Sequence, residues 1–168
     1  MAQIRELKKR MVAVRTIQRI TKTMQMIATA KFTAALARAK ATRPYTDRIR
    51  GLVGEVAAAA GDDFSHPLMK APAAPAKREL VLVISSDRGL CGAYNMNVIK
   101  AARVEIDASI EAGVKTSVYT VGRRARDFFK KRGYDVVASH DDFGGAASDD
   151  KARQVTKAVV TQFTEGEV

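Results

Sequence analysis

From Ala2 to Arg43 the chain contains neither glycine nor proline, and that absence constrains the fold more than any other feature. The stretch is rich in Ala, Lys, Arg, Met, Gln and Ile, most of which lose little on entering a helix, so one continuous helix is predicted. Pro44 is read as its first break, with 45–60 helical again and ended by Gly61-Asp62-Asp63. At 1.5 Å per residue the first helix is a rod of about 60 Å, against a mean globular helix of roughly 11 residues.

A rod of that length needs something to cover it. Its apolar residues fall at Ile4, Leu7, Met11 and Val14, then at Ile17, Ile20, Met24 and Ile27. Each quartet is spaced three, four, three, the pattern of a coiled-coil seam. The step from Val14 to Ile17 is three where a heptad needs four, so the seam shifts there as a stammer. Beyond Ile27 the stripe passes into Ala28, Ala30, Ala34, Ala35, Ala37, Ala39 and Ala41, where backbones could approach closely. Eight seam side chains at about 1.5–3 kcal/mol each represent on the order of 10–20 kcal/mol of burial. No later segment reads as a helix of comparable length. The expected partner is therefore another chain or a part of the protein beyond these 168 residues, and a C-terminal part is the preferred reading.

Charge follows the same division. Residues 1–50 hold 13 of the 29 Lys and Arg against two acids, Glu6 and Asp47, while the other 118 residues carry 16 of each sign. The whole net charge of +11 thus sits on the first 50 residues. An organelle transit peptide seldom continues as an uninterrupted rod of this length. A basic-region zipper for DNA could use Arg15, Arg19 and Lys22, which share a helical face, but here the charges overlap the seam instead of preceding it. A merely solvated charged face explains the cations and leaves the seam unexplained.

The remainder reads as a small α/β domain. Pro67, Pro72 and Pro75 make an extended connection, so the expected organisation is a shaft helix with its extension over 1–60, a proline-rich linker over 61–76 and an α/β domain over 77–168. The apolar run Glu79 to Ser85 is read as a strand covered on both faces of a parallel sheet. A helix over about 95–111, a strand from Thr116 to Val121, a helix from Arg123 to Arg132 and a strand from Tyr134 to Ala138 follow. A last helix over about 148–164, capped by Ser148-Asp149-Asp150, keeps strand and helix strictly alternating. This is a Rossmann-like order with a parallel sheet, and no further strand follows Glu167-Val168.

A search for chemistry narrows the options. No apolar run approaches the roughly 20 residues needed to span a bilayer. One cysteine, Cys91, leaves no internal disulfide, and with His66 and His140 it makes no zinc-type ligand set. The loop Ser86 to Asn95 lies where a doubly wound fold would hold a nucleotide, but Gly89 and Gly92 are spaced G-x-x-G, neither a dinucleotide fingerprint nor a phosphate loop. Gly113-Val114-Lys115-Thr116 is a chance echo of a phosphate loop, and Asp142-Phe143-Gly144 is read as a turn. Cys91 beside Arg88 is either a reactive thiol or a small buried residue, and the second is commoner. Neither histidine has the partners of a catalytic triad. No catalytic, cofactor or metal site is expected.

Two segments are specific enough to name a family: Arg19-Ile20-Thr21-Lys22-Thr23-Met24-Gln25-Met26-Ile27-Ala28-Thr29-Ala30-Lys31-Phe32 and Ser86-Asp87-Arg88-Gly89-Leu90-Cys91-Gly92. Both closely resemble the gamma-subunit family of F-type ATP synthases, and the resemblance runs from Ile4-Arg5-Glu6-Leu7 through Arg43-Pro44-Tyr45 to the last helix. It implies an N-terminal helix that pairs antiparallel with a C-terminal shaft helix, here missing, so that the sequence looks like the first three fifths of such a subunit. The pair would be the central-stalk rotor inside a ring of alpha and beta subunits, driven by proton flow through the membrane c-ring.

By the same resemblance Lys22, Met24, Gln25 and Lys31 would face the ring, and the loop with Asp87, Arg88, Gly89, Cys91 and Gly92 would contact neighbouring subunits, epsilon and the c-ring among them. The family often has a further glycine where this chain has Ala93-Tyr94. This sequence carries no cysteine pair of the chloroplast type, so thiol regulation is not expected. The start directly on the helix suggests a bacterial form, held peripherally at the cytoplasmic face of the inner membrane without inserting into it. The alternative is a basic-helix nucleic-acid-binding protein; a nucleotide-binding enzyme is a weaker competitor.

Overall fold

A computed structural model of the chain describes residues 2–60, 66–69, 77–141 and 149–168. They fall into two compact units that divide between Phe64 and Ser65. The first unit is one α-helix, α1 (Ala2–Ala60), of 59 residues. The expected break at Pro44 does not occur: the proline lies inside the helix. Proline removes one N–H donor and leaves the carbonyl four residues back, that of Lys40, without its partner. Lys40 and its neighbours are exposed, so that carbonyl is not trapped in a core. Threonine hydroxyls add bonds to the flanking turns, Thr42 Oγ1 donating to the Arg38 carbonyl at 2.7 Å and Thr46 Oγ1 to the Thr42 carbonyl at 3.2 Å.

The second unit alternates strand and helix as the sequence predicts. A short 3₁₀ turn (Pro67–Met69) precedes β1 (Arg78–Ile84), α2 (Tyr94–Glu111), β2 (Lys115–Val121), α3 (Arg123–Lys131), β3 (Val136–His140) and α4 (Asp149–Thr164). The three strands form one parallel sheet in the order β1-β2-β3, Arg78 opposite Lys115 and Ile84 opposite Val121. Between β2 and β3 the register slips by one residue after Val118, which leaves Val137 as the extra residue. Among the described residues no helix after α1 exceeds the 18 residues of α2. The linker outside 66–69, the Gly61-Asp62-Asp63 stop, the Asp142-Phe143-Gly144 turn and the Ser148 cap lie outside the described residues.

Two apolar layers sandwich the sheet. On one face Val83 and Val118 pack with Ile99 and Ile106 of α2 and Ala125 and Phe129 of α3. On the other, Tyr119 and Val121 pack with Val155 of α4, joined by Leu80, Ala138 and Val159. β1 is not covered on both faces as its apolar run suggested, because it is an edge strand and α4 does not reach its far end. Leu82 and Ile84 are exposed. The third strand starts at Val136 instead of Tyr134, because Tyr134 closes the end of α3, its N–H donating to the Phe129 carbonyl at 3.2 Å. Its ring meets Phe129 edge-on at 5.2 Å, and its hydroxyl donates to Asp107 Oδ1 at 2.7 Å.

Candidate functional site

Two surfaces stand out, one on each unit. On α1 every seam residue is exposed: Ile4, Leu7, Met11, Val14, Ile17, Ile20 and Ile27, with Met24, the least open, still 49% accessible. A third quartet lies past Pro44, where Tyr45, Ile49, Leu52 and Val56 are also exposed, spaced four, three, four. Reading Pro44 as a helix end hid this quartet, although the spacing itself was present in the sequence. The alanine-rich stretch lies between the second quartet and this third one, so apolar and small residues recur along most of the helix length, the first quartet being turned to another side by the shift after Val14.

The cations of α1 form their own row. Lys8, Arg15, Arg19 and Lys22 recur at intervals of seven, four and three, which keeps them on one side at 3.6 residues per turn. Lys22, Gln25 and Lys31 are all exposed. Lys31 is nine residues beyond Lys22, about half a turn out of phase at about 100° per residue, so these two lysines point to opposite sides. Met24 shares the side of Lys31, seven residues away. The four expected ring-contact residues thus occupy two sides of the helix, not one.

The second surface is the loop between β1 and α2, and its polar atoms look inward. The residue before α3 is Gly122, which has no capping side chain of its own. The loop supplies the cap from a distance: the Arg123 N–H donates to Asp87 Oδ1 at 3.0 Å, and the Ala125 N–H to Ser85 Oγ at 2.9 Å. Capping of this kind is worth about 1 kcal/mol. Gly122 has φ +94°, and a Cβ there would lie 2.2 Å from the Ser85 carbonyl oxygen, so only glycine permits the approach. At the other end of the loop, the Ser86 N–H donates to Asn95 Oδ1 at 3.0 Å, and Asn95 Nδ2 donates to Cys91 Sγ at 3.0 Å.

These bonds sort the expected contact residues. Asp87 caps α3, and Cys91 is a half-buried sulfur that accepts from Asn95. A Cβ at Gly89 would crowd the Arg124 guanidinium at 3.3 Å. Arg88 is exposed. Leu90, absent from the expected set, is 94% exposed with φ +65°. A left-handed conformation costs a non-glycine residue on the order of 1–2 kcal/mol.

Beyond the loop, at the end of β3, His140 Nε2 and Tyr119 Oη share a hydrogen bond of 2.7 Å over stacked rings. Burial raises the Tyr119 hydroxyl above its ordinary 10.0. Next to it Arg126 is bound to both Asp127 and Asp141. Burial pushes the Asp141 carboxyl up, but the charge and hydrogen bond of Arg126 outweigh it and hold the group below its ordinary 3.8. Among the described residues no three His, Cys, Asp or Glu side chains are grouped to hold a metal ion, and no helix is long and apolar enough to cross a membrane.

Residues 3–168 match the family described as ATP synthase. The chain is 41% identical over 165 residues to the ATP synthase gamma chain of Mycolicibacterium vanbaalenii, covering 98% of this chain and 52% of that protein. It is 36% identical to the gamma chain of Pelotomaculum thermopropionicum, covering 99% of this chain and 57% of that protein. With the gamma chain of Paracoccus denitrificans it shares 35% identity, over 99% of this chain and 58% of that protein. The chain spans about half the length of the curated relatives it matches.

Proposed function

The chain belongs to the ATP synthase gamma-chain family, and from that premise we propose that it forms part of the central-stalk rotor of a proton-translocating ATP synthase. One observation carries the reading: a 59-residue helix holds its whole apolar stripe in solvent. A stripe of that size is the surface of a shaft whose partner helix lies along it. In this reading residues 1–60 are the shaft, 61–76 the linker and 77–168 the α/β unit below the catalytic ring. Proton flow turns the c-ring, the c-ring turns the shaft, and the shaft's asymmetry drives each beta subunit through its states. The chain contributes no catalytic side chain of its own.

The cationic row supports contact with an acidic surface on the ring. Exposed ion pairs are worth about 0–1 kcal/mol each, so a turning shaft can exchange them among equivalent positions without being trapped. Met24 adds a flexible, polarisable side chain able to repack during the exchange. The subunit would sit peripherally at the cytoplasmic face of a bacterial inner membrane, with alpha, beta, epsilon and the c-ring as neighbours. No observation favours nucleic acid as the partner of the basic helix.

The test is reconstitution of the natural full-length protein carrying this sequence with alpha and beta subunits, with and without Lys22→Gln and Lys31→Gln. A cooperative ATPase that depends on this subunit is expected, with altered turnover in the charge variants. Failure to co-purify with the ring overturns the proposal.

A further inference from the structure

The backbone of α1 is uneven along its length. From Ala2 to Arg43 it holds neither glycine nor proline, whereas Pro44, Gly51 and Gly54 follow close together, the residue types least favoured inside a helix. Neither glycine has a positive φ, and a Cβ at either would meet nothing within 4 Å, so neither conformation nor packing in this unit calls for them. Two side-chain contacts bridge the proline. Thr46 Oγ1 donates to the Thr42 carbonyl at 3.2 Å, and Arg43 meets Asp47 at 3.9 Å, both side chains exposed and the cation N-terminal to the acid, the weaker order. Neither replaces the bond that the Lys40 carbonyl lacks. Because Lys40 is exposed, water can enter the hydrogen-bond ladder there.

The apolar stripe is thinnest just before this point. On the side that carries Ile17 to Ile27 and Tyr45 to Val56, only Ala30, Ala34, Arg38 and Ala41 fall between the two quartets, at steps of three, four, four, three and four. A partner lying along α1 therefore grips it by large side chains on either side of this stretch and by small ones within it. The weakest grip and the weakest backbone adjoin. We propose that α1 is two rods joined at Pro44, a compliant joint about which 45–60 bends relative to 2–43 under load. The joint is a property of the helix, while its mechanical role, letting the two ends of a shaft follow different neighbours, rests on the rotor-subunit reading. A fixed kink is the competing use of a helix proline. An unbroken helix through Pro44, with two glycines loosening the turns after it, fits compliance better.

Two measurements on the natural full-length protein test this. Pro44→Ala restores an N–H to the Lys40 carbonyl and should slow amide hydrogen exchange over 40–48 by roughly tenfold or more, with exchange over 17–27 unchanged. Unchanged exchange over 40–48 overturns the proposal. Slowing along all of α1 overturns it too, since that marks a general stabilisation instead of a local joint. In the assembled complex, in a Cys91→Ser background, spin labels at Thr23→Cys and Arg50→Cys span Pro44 over 27 residues, about 40 Å. Lys8→Cys and Ala35→Cys span an equal length without it. The distance distribution across Pro44 should be at least about twice as wide as that of the control pair, and Pro44→Ala should narrow it to the control width. Equal widths in the wild type mean a rigid rod, and a variant that shifts the mean distance without narrowing it means a fixed kink; either overturns the proposal. So does a variant that no longer assembles while the wild type does. A wild-type protein that does not assemble brings down the rotor reading and the mechanical role with it, and the joint is then decided by the exchange rates alone.

Discussion

The two units spend their apolar residues in opposite ways. In the α/β unit the large side chains turn inward, with Ile106, Val118 and Phe129 fully buried. In α1 they turn outward along the whole stripe, beside nearly all of the chain's excess positive charge. The first unit to which hydrophobic burial gives stability is therefore the sheet, whereas α1 draws on helix propensity and on whatever covers it. The same kind of substitution should have different consequences in the two places.

The largest effect is expected at the centre of the buried layer. Phe129→Ala should cost the α/β unit about 3–5 kcal/mol, read as a lower urea midpoint of its cooperative transition. An equal loss of the helical signal belonging to α1 would break the contrast between the units. Next comes Gly122→Ala, which places a Cβ against the Ser85 carbonyl at positive φ. A cost of about 2–3 kcal/mol is expected by chemical denaturation, and a neutral result would show that the loop and α3 do not meet as described.

Asp141 gives a smaller effect with a definite sign. Arg126 holds its folded-state value below 3.8, so its contribution is present above that pH and is lost as pH falls through the folded value. The wild type should therefore be more stable than Asp141→Asn at pH 7, and the gap should close under acid. A gap that stayed constant down to the acid transition would contradict the pairing. The smallest effect is expected at Ile20→Ala in the chain by itself, within about 0.5 kcal/mol, because the side chain is already exposed. A large destabilisation there would mean that the stripe has an internal partner.

Much of this was legible in the sequence. The long helix, the apolar quartets along it and the alternation of strand and helix follow from periodicity, and periodicity is what decides which face of an element is apolar. The continuation through Pro44 was not legible, because a proline rule assumes that the lost hydrogen bond matters, and on an exposed helix it costs less than ending the helix. The exposed far end of β1 was also hidden, since a run of apolar residues records what a strand could bury, not which neighbours reach it. In the loop, the motif marks the segment without telling its internal supports from its exposed residues. Asp87 and Cys91 serve contacts 36 and four residues away, and no local pattern separates such supports from an exposed tip like Leu90.

The central claim, that the stripe on α1 is a covered surface in the working protein, is most directly tested by thiol labelling. In a Cys91→Ser background of the natural full-length protein, Ile20→Cys and Arg10→Cys would be labelled in the assembled complex. The account predicts labelling at position 20 slower by at least about a hundredfold, with position 10, outside the stripe, reacting freely. Equal rates at the two positions would contradict it.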